Sequence, residues 1–322
     1  MLLYKRGVDM SNMKKEEFLY FINYTVMEQE LCTMEMKYYF NKDINSKIFY
    51  SNIDVDPSKS PYIKCKIKVL HIAESIEEIT SFIKENRISY DDFKVVYIKS
   101  EHNDVDYEGR LDAVRKIGYV IKGYPDIHNP KILISILKIH DKWILGEYYK
   151  NNQEFLKHNN KPYSYSNALG IKIARSLVNI AMINNENGTL VDPCCGVGTV
   201  VIEALDLGIN IKGYEISKQM AYNARENIEF LGYPRDTIIC GNMHDIKECY
   251  DTAIVDIPYG LFSPITLKEQ IDIIKTARRI CRKMVIVTFE NMEEYIKEAG
   301  FTIIDKCVVP KGNFKRYIFI CI

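Results

Sequence analysis

The stretch TLVDPCCGVGTVVIEA, Thr189–Ala204, decides the fold. It runs from an apolar, strand-like segment ending in Asp192, through a turn holding Gly196 and Gly198, into a helix-like segment. Two glycines in such a turn let the backbone pass close to a ligand, and the free N–H groups that open the following helix favour acceptor or anionic groups. A dinucleotide fingerprint needs a third glycine where Val201 stands, and a phosphate-binding loop needs a Lys-Ser/Thr pair that the stretch lacks. The pattern therefore predicts a cofactor turn for a ligand that is not rich in phosphate.

Outward from the turn, strand-like segments alternate with helical ones. The strands are GTLVD, NIKGYE, DTIIC, DTAIVD, KMVIVTF, FTIIDKCVV and KRYIFICI, with helices expected near 167–183, 199–207, 217–231, 266–280 and 291–299. This is the pattern of an α/β fold with a parallel sheet. Only PKGNF separates the last two strands, which predicts an antiparallel hairpin. The N-terminal half reads as an α+β module. Its strands are FLYFINY, YIKCKIKVLHI, FKVVYIKS and the pair ILISILKIH and KWILGEYY, turning at Asp141 and Lys142; helices fall near 28–40, 75–86 and 107–121. Between the halves, KNNQEFLKHNNKPYSYS is polar and weakly periodic, as a linker is. The expected division is 1–150, a linker at 151–165, and a second domain at 166–322.

Composition sets the class. With 322 residues, 47% hydrophobic and 27% charged, the chain has apolar mass for a core in each half. No run of about 18 uncharged apolar residues occurs, and MLLYKRGVDM lacks a signal-peptide pattern, so a cytoplasmic location without membrane association is expected. Nine cysteines without a CxxC pair, and six scattered histidines, argue for reduced thiols and against a metal site. Lys plus Arg and Asp plus Glu both count 43, so nucleic-acid binding must use local patches.

The strand ends name a ligand. Glu215 stands 19 positions after Gly196, where a carboxylate can accept both hydroxyls of a ribose. After the third strand, Asn242, Met243 and Asp245 are placed to grip an adenine edge and face, and Asp192 can attract a cation. With the neighbouring Pro193 and Ile216, this set fits an adenosine with a cationic tail, S-adenosylmethionine. Taken singly, each residue has an ordinary reading as a helix cap or core residue. Their coincidence at the carboxyl ends of successive strands favours a binding site.

These residues resemble the class I S-adenosylmethionine-dependent methyltransferases, and within them the THUMP-domain tRNA guanine-N2 methyltransferases. DPCCGVGT resembles that family's DPxCGxGT motif, in which Asp192, Gly196, Gly198 and Thr199 face the cofactor. DIPYG, Asp256–Gly260, resembles its DPPYG motif, with Ile257 in place of the first proline. KPYSYSNALGIKIARSLVNIA is similar to the family's entry into the catalytic domain, and IHNPKILISILK to the end of a THUMP module. The resemblance implies a Rossmann-like seven-stranded catalytic domain behind a ferredoxin-like and THUMP-like region that docks tRNA. Some members of the family act with a small zinc-binding subunit. Arg110, Arg115 and Lys116, on one predicted helix, are candidates for phosphate contact, against the ordinary alternative of a solvated face.

The motif's chemistry is amine methylation. An exocyclic amine of a base is a poor nucleophile, and acceptors at its N–H groups orient and polarise it while the methyl carbon is held in line with the departing sulfur. Asp256 and the backbone carbonyl of Ile257 are the expected acceptors. Pro258 fixes the turn, and Tyr259 offers a ring for a base withdrawn from its stack. The implied reaction is methylation of guanine N2 in tRNA, at position ten by family analogy. Adenine N6 in rRNA or DNA, a non-catalytic RNA-binding scaffold and a small-molecule methyltransferase are the alternatives.

Overall fold

The computed structural model describes residues 16–99, 105–166, 168–185, 187–258, 265–312 and 314–322. The N-terminal half holds β1 (Phe18–Ile22), α1 (Gln29–Phe40), β2 (Ile48–Ser51), β3 (Ile63–Ala73), α2 (Ile76–Glu85), β4 (Phe93–Tyr97), α3 (Tyr107–Val120), β5 (Ile132–Ile139) and β6 (Lys142–Lys150). The C-terminal half holds α4 (Ile171–Met182), β7 (Thr189–Asp192), α5 (Thr199–Asp206), β8 (Asn210–Glu215), α6 (Lys218–Phe230), β9 (Ile238–Cys240), β10 (Tyr250–Asp256), α7 (Leu267–Ile280), β11 (Cys281–Thr288), α8 (Glu293–Glu298), β12 (Ile303–Lys311) and β13 (Phe314–Cys321).

Two compact units result. The first comprises the described residues of Met1–Ile22, Lys47–Pro57 and Lys64–Asn151; the second comprises Asn23–Ser46, Ser58–Ile63 and the described residues of Asn152–Ile322. Sequence continuity suggests a simple cut near residue 150, but the units are interleaved. The reason lies in buried polar chemistry within the second unit. Glu35 of α1 is fully buried and accepts hydrogen bonds from Asn179 of α4 and from Ser60 Oγ. Arg175, also on α4, donates to the carbonyls of Ser58 and Lys59 and to the carboxylates of Glu203 and Asp206. Removing one partner would strand a buried charge, so the two N-terminal segments are held to α4.

The expected linker is folded as well. Glu154–Asn160 forms a 3-10 helix with Phe155 and His158 buried, and His158 Nδ1 lies 2.7 Å from Glu203 Oε1. Asparagine and lysine surrounding two buried side chains read as a linker when only composition is considered.

The first unit carries a six-stranded sheet of order β2-β1-β3-β6-β5-β4. Ile79 and Ile83 of α2 and Ala113 and Ile117 of α3 pack with Phe93, Ile134 and Leu145 of the sheet in one core. The β5–β6 register pairs Ile139 with Lys142, which puts the turn at His140 and Asp141, one residue earlier than expected; His140 takes φ 51°. β2, four residues among polar neighbours, is too short to announce itself by periodicity.

The second unit carries a seven-stranded sheet of order β12-β13-β11-β10-β7-β8-β9. Among the described residues its strands pair in parallel except β13, which runs antiparallel to both β11 and β12. This is the α/β arrangement expected, closing hairpin included. The central β10 is buried from Thr252 to Val255, as a strand covered on both faces should be. The sheet order reverses between β7 and β10, so the chain leaves these two neighbours in opposite directions and opens a crevice at their carboxyl ends. β9 starts later than DTIIC suggests, because Arg235–Thr237 forms a 3-10 turn. Among the described residues, no helix is long and apolar enough to cross a membrane.

Candidate active site

Asp192 and Asp256 end β7 and β10, the two strands at the switch point. A cavity of 450 Å³ opens there, within the size range of small-molecule sites. Of the residues singled out from sequence, Asp192, Gly196, Thr199, Glu215, Ile216, Asp256, Ile257 and Pro258 line it.

The glycine turn forms one wall. Gly196 and Gly198 take φ 52° and 83°, a left-handed backbone that side chains with a Cβ adopt at a cost. A Cβ at Gly196 would meet nothing within 4 Å, so the backbone there faces open space. Gly198 is the N-cap of α5, with no side-chain cap for the helix's first N–H groups, and Thr199 Oγ1 is buried without a hydrogen-bond partner among the described residues. Glu215 closes the turn from the next strand: Oε2 accepts from Gly196 N (3.0 Å) and Oε1 from Ser217 N (2.8 Å). Each carboxylate oxygen retains acceptor capacity beyond these bonds, enough for two ligand hydroxyls.

Where a dinucleotide fold would have its third glycine, Val201 stands on α5. Close helix-to-strand packing is achieved from the other side. Gly213 of β8 pairs with Asp192, and a Cβ on it would come within 2.8 Å of Val201 Cγ2 and Ile238 Cδ1 and 3.1 Å of Cys195 Sγ. The missing glycine has moved to the neighbouring strand.

Pro193, Gly198, Asn242, Met243 and Asp245 are not among the cavity-lining residues. Pro193 and Gly198 shape the turn. Asn242 caps a short 3-10 turn, its Oδ1 accepting from His244 N at 3.0 Å. Met243 is buried in the core with its sulfur 3.6 Å from Cys194 Sγ, and Asp245 is exposed. Sequence reasoning missed Tyr165, Ala168 and Leu169, which line the cavity from the segment leading into α4, and Met220 from α6. The SYSNAL stretch carried that signal through its resemblance to the family's entry segment; Met220 carried none.

The DIPYG strand end resolves in part. Ile257 donates its N–H to Val287 O (3.1 Å), a bond that proline cannot make, and its side chain is buried in the core cluster around Met243 and Ile273. The substitution thus exchanges ring rigidity for a ladder bond and apolar packing, and leaves the carbonyl in place. Tyr259 and Gly260 lie outside the described residues.

Charge concentrates at the switch point. Asp256 is half-buried with its Oδ1 shut off from solvent, and this desolvation pushes its carboxyl up to about 7 against the opposing pull of Arg316 and Lys311. Its Oδ1 is buried with no hydrogen-bond partner among the described residues. Burial also raises Asp192 well above the usual carboxylate range; Cys194 N, bonded to its Oδ1, opposes the rise, and the charges of Asp256 and Glu215 add to it. Three acids sharing one partly apolar cavity repel one another, and a cation placed among them is stabilised by all three.

In the first unit, α3 carries Arg110, Arg115 and Lys116. Lys116 pairs with Glu77 (3.1 Å) and Asp112 (3.0 Å), which accords with the solvated-face reading for that residue. The Arg110 guanidinium lies 6.0 Å from the Tyr107 ring centroid, and Arg115 is exposed.

Comparison with known proteins shows what the chain is similar to. Residues 158–301 match the family model described as UPF0020, RMKL-like, methyltransferase domain. The tRNA (guanine(10)-N2)-dimethyltransferase of Methanothermobacter thermautotrophicus is 29% identical over 157 residues, 46% of this chain and 46% of that protein. The protein of the same name from Methanocaldococcus jannaschii is 28% identical over 299 residues, 86% of this chain and 74% of that one. The chain thus spans about half the length of the first of these relatives and three quarters of the second. Among solved structures, TrmN from Thermus thermophilus aligns over 95% of this chain and 99% of its own at 15% identity, with a TM-score of 0.46. Over residues 158–301, the chain is thus similar to the RMKL-like methyltransferase domains that the UPF0020 family model describes.

Proposed function

We propose that the chain methylates the exocyclic N2 of a guanine in tRNA, using S-adenosylmethionine, at position ten as the names of its relatives read. The observation that carries this is the buried Asp256 Oδ1, without a hydrogen-bond partner among the described residues, at the switch-point cavity that also holds a left-handed glycine turn fixed by Glu215. The donor set fits the cofactor. Glu215 is placed for ribose hydroxyls, the open backbone at Gly196 for close approach, and the Asp192–Glu215–Asp256 cluster for a sulfonium charge. Ile216, exposed at the cavity edge, supplies an apolar face for the adenine. Bound there, S-adenosylmethionine supplies an activated methyl group.

The chain's own part is to position and deprotonate. Ionised Asp256 and the Ile257 carbonyl accept the two amino N–H groups of the base, which aims the nitrogen lone pair at the methyl carbon. Methylation would make the nitrogen acidic, and Asp256 is within the site to receive its proton. Pro258 holds the turn, and Tyr259 is proposed as the stacking ring for the flipped base. The first unit is proposed to dock the tRNA. Titration calorimetry with S-adenosylhomocysteine, paired with labelled methyl transfer to total tRNA, tests the reading. Binding with transfer supports it; binding without transfer to any RNA would make the chain a scaffold.

A further inference from the structure

The β12–β13 hairpin ends at the same edge of the sheet as Asp256. Asp256 pairs with Val287 in the β10–β11 register, and the next residue of β11, Thr288, pairs with Tyr317 near the start of β13. The strands pair out to Lys311 and Phe314, so the tip projects beyond that edge. Two of its cations are tied to the cavity wall. Lys311 Nζ donates to Ser166 O (3.3 Å), and Arg316 Nη2 donates to Ala168 O (3.4 Å), in the segment whose Tyr165 and Ala168 line the cavity.

The tip also carries an aromatic pair. The buried Arg316 guanidinium sits 5.7 Å from the Phe289 ring centroid, and Phe289 meets Phe314 edge-on, centroids 6.4 Å apart at 66°. Phe314 is therefore held in place by a packed neighbour, yet it is 67% exposed. Beside it Lys315 is exposed, and Pro310–Tyr317 contains three cations and no acid. Neither Phe314 nor Lys315 lines the cavity, so what they meet lies outside it.

Resting on the reading above, we infer that this hairpin tip grips the RNA strand beside the flipped nucleotide, with the Phe314 ring stacking on a neighbouring base and Lys315 contacting a phosphate. A packed, exposed ring beside an exposed lysine is a combination that suits single-stranded nucleic acid, because every base offers a face for stacking and every linkage a charge. The chain as a whole is neutral, so such a patch beside the catalytic edge supplies a local attraction that the net charge does not.

The test measures binding of fluorescently labelled total tRNA across a salt series, alongside S-adenosylhomocysteine binding. Phe314→Ala should weaken tRNA binding at least fivefold and Phe314→Trp should retain it, as base stacking implies. Lys315→Ala should reduce the slope of log affinity against log salt by about 0.7 to 0.9. Affinity for S-adenosylhomocysteine should stay within about twofold in all three, since neither side chain reaches the cavity, and this also reports an intact fold. Unchanged tRNA affinity and slope in the variants of a chain that does bind tRNA would overturn the hairpin inference and leave the proposed activity standing. A parent chain that does not bind tRNA would overturn both.

Discussion

Asp256→Asn should remove activity and, at neutral pH, stabilise the protein. The carboxyl titrates ordinarily near 3.8, and burial raises it to about 7 in the fold. Between those values the folded chain holds a proton that the unfolded chain has released, so this group makes stability fall as pH rises, by 1.36 kcal/mol per pH unit. Above pH 7 the ionised carboxylate costs about 4 kcal/mol relative to its neutral form. Asparagine cannot ionise and escapes that cost, but its buried amide gives back about 1–3 kcal/mol in unmatched donors. The net gain at pH 8 is about 1–3 kcal/mol, and the difference in favour of asparagine should grow by about 3 kcal/mol between pH 4.5 and pH 8. Urea unfolding of ligand-free parent and variant at the two pH values measures it, and transfer assays should show at least a hundredfold loss of rate. A variant less stable by the same amount at both pH values would refute the argument that Asp256 is a strained, site-committed acid.

The other expectations concern the cofactor side. Gly196→Ala puts a Cβ into the open space of the cavity at φ 52°; calorimetry should show S-adenosylhomocysteine binding weakened at least tenfold, with an unfolding cost of about 1–2 kcal/mol. Glu215→Gln keeps the shape but can accept from only one of Gly196 N and Ser217 N without turning a donor on the other; a loss of affinity of ten- to a hundredfold is expected. Gly213→Val forces atoms into a gap already closed at 2.8 Å by Val201 and Ile238, and urea unfolding should show a loss of about 1–3 kcal/mol or more.

The sheet of the second unit can be read from its sequence because its strands are short apolar runs bounded by turns, and β7, β8, β10 and β11 are each followed by a helical period. DTAIVD is the clearest case: it is buried on both faces, and its apolar run is continuous. The acids at the ends of β7, β8 and β10 were legible for the same reason, since strand ends fix where their side chains stand. What sequence could not give depends on long-range partners. Glu35 lies 144 positions from Asn179, and nothing local in QELCTMEMKYYF says that its acid is buried against α4. Nor does Gly213 look different from any strand glycine until Val201 is found packed over it. Asn242, Met243 and Asp245 sit where the pattern suggested, but helix capping and core packing claim the first two.

The most direct measurement is the nucleoside product. Incubation with S-adenosylmethionine labelled in its methyl group and tRNA from a strain lacking the gene, followed by digestion and chromatography, should place the label in N2-methylguanosine. Asp256→Ala should abolish it. Label in N6-methyladenosine, or undiminished transfer by the Asp256→Ala variant, would contradict the account.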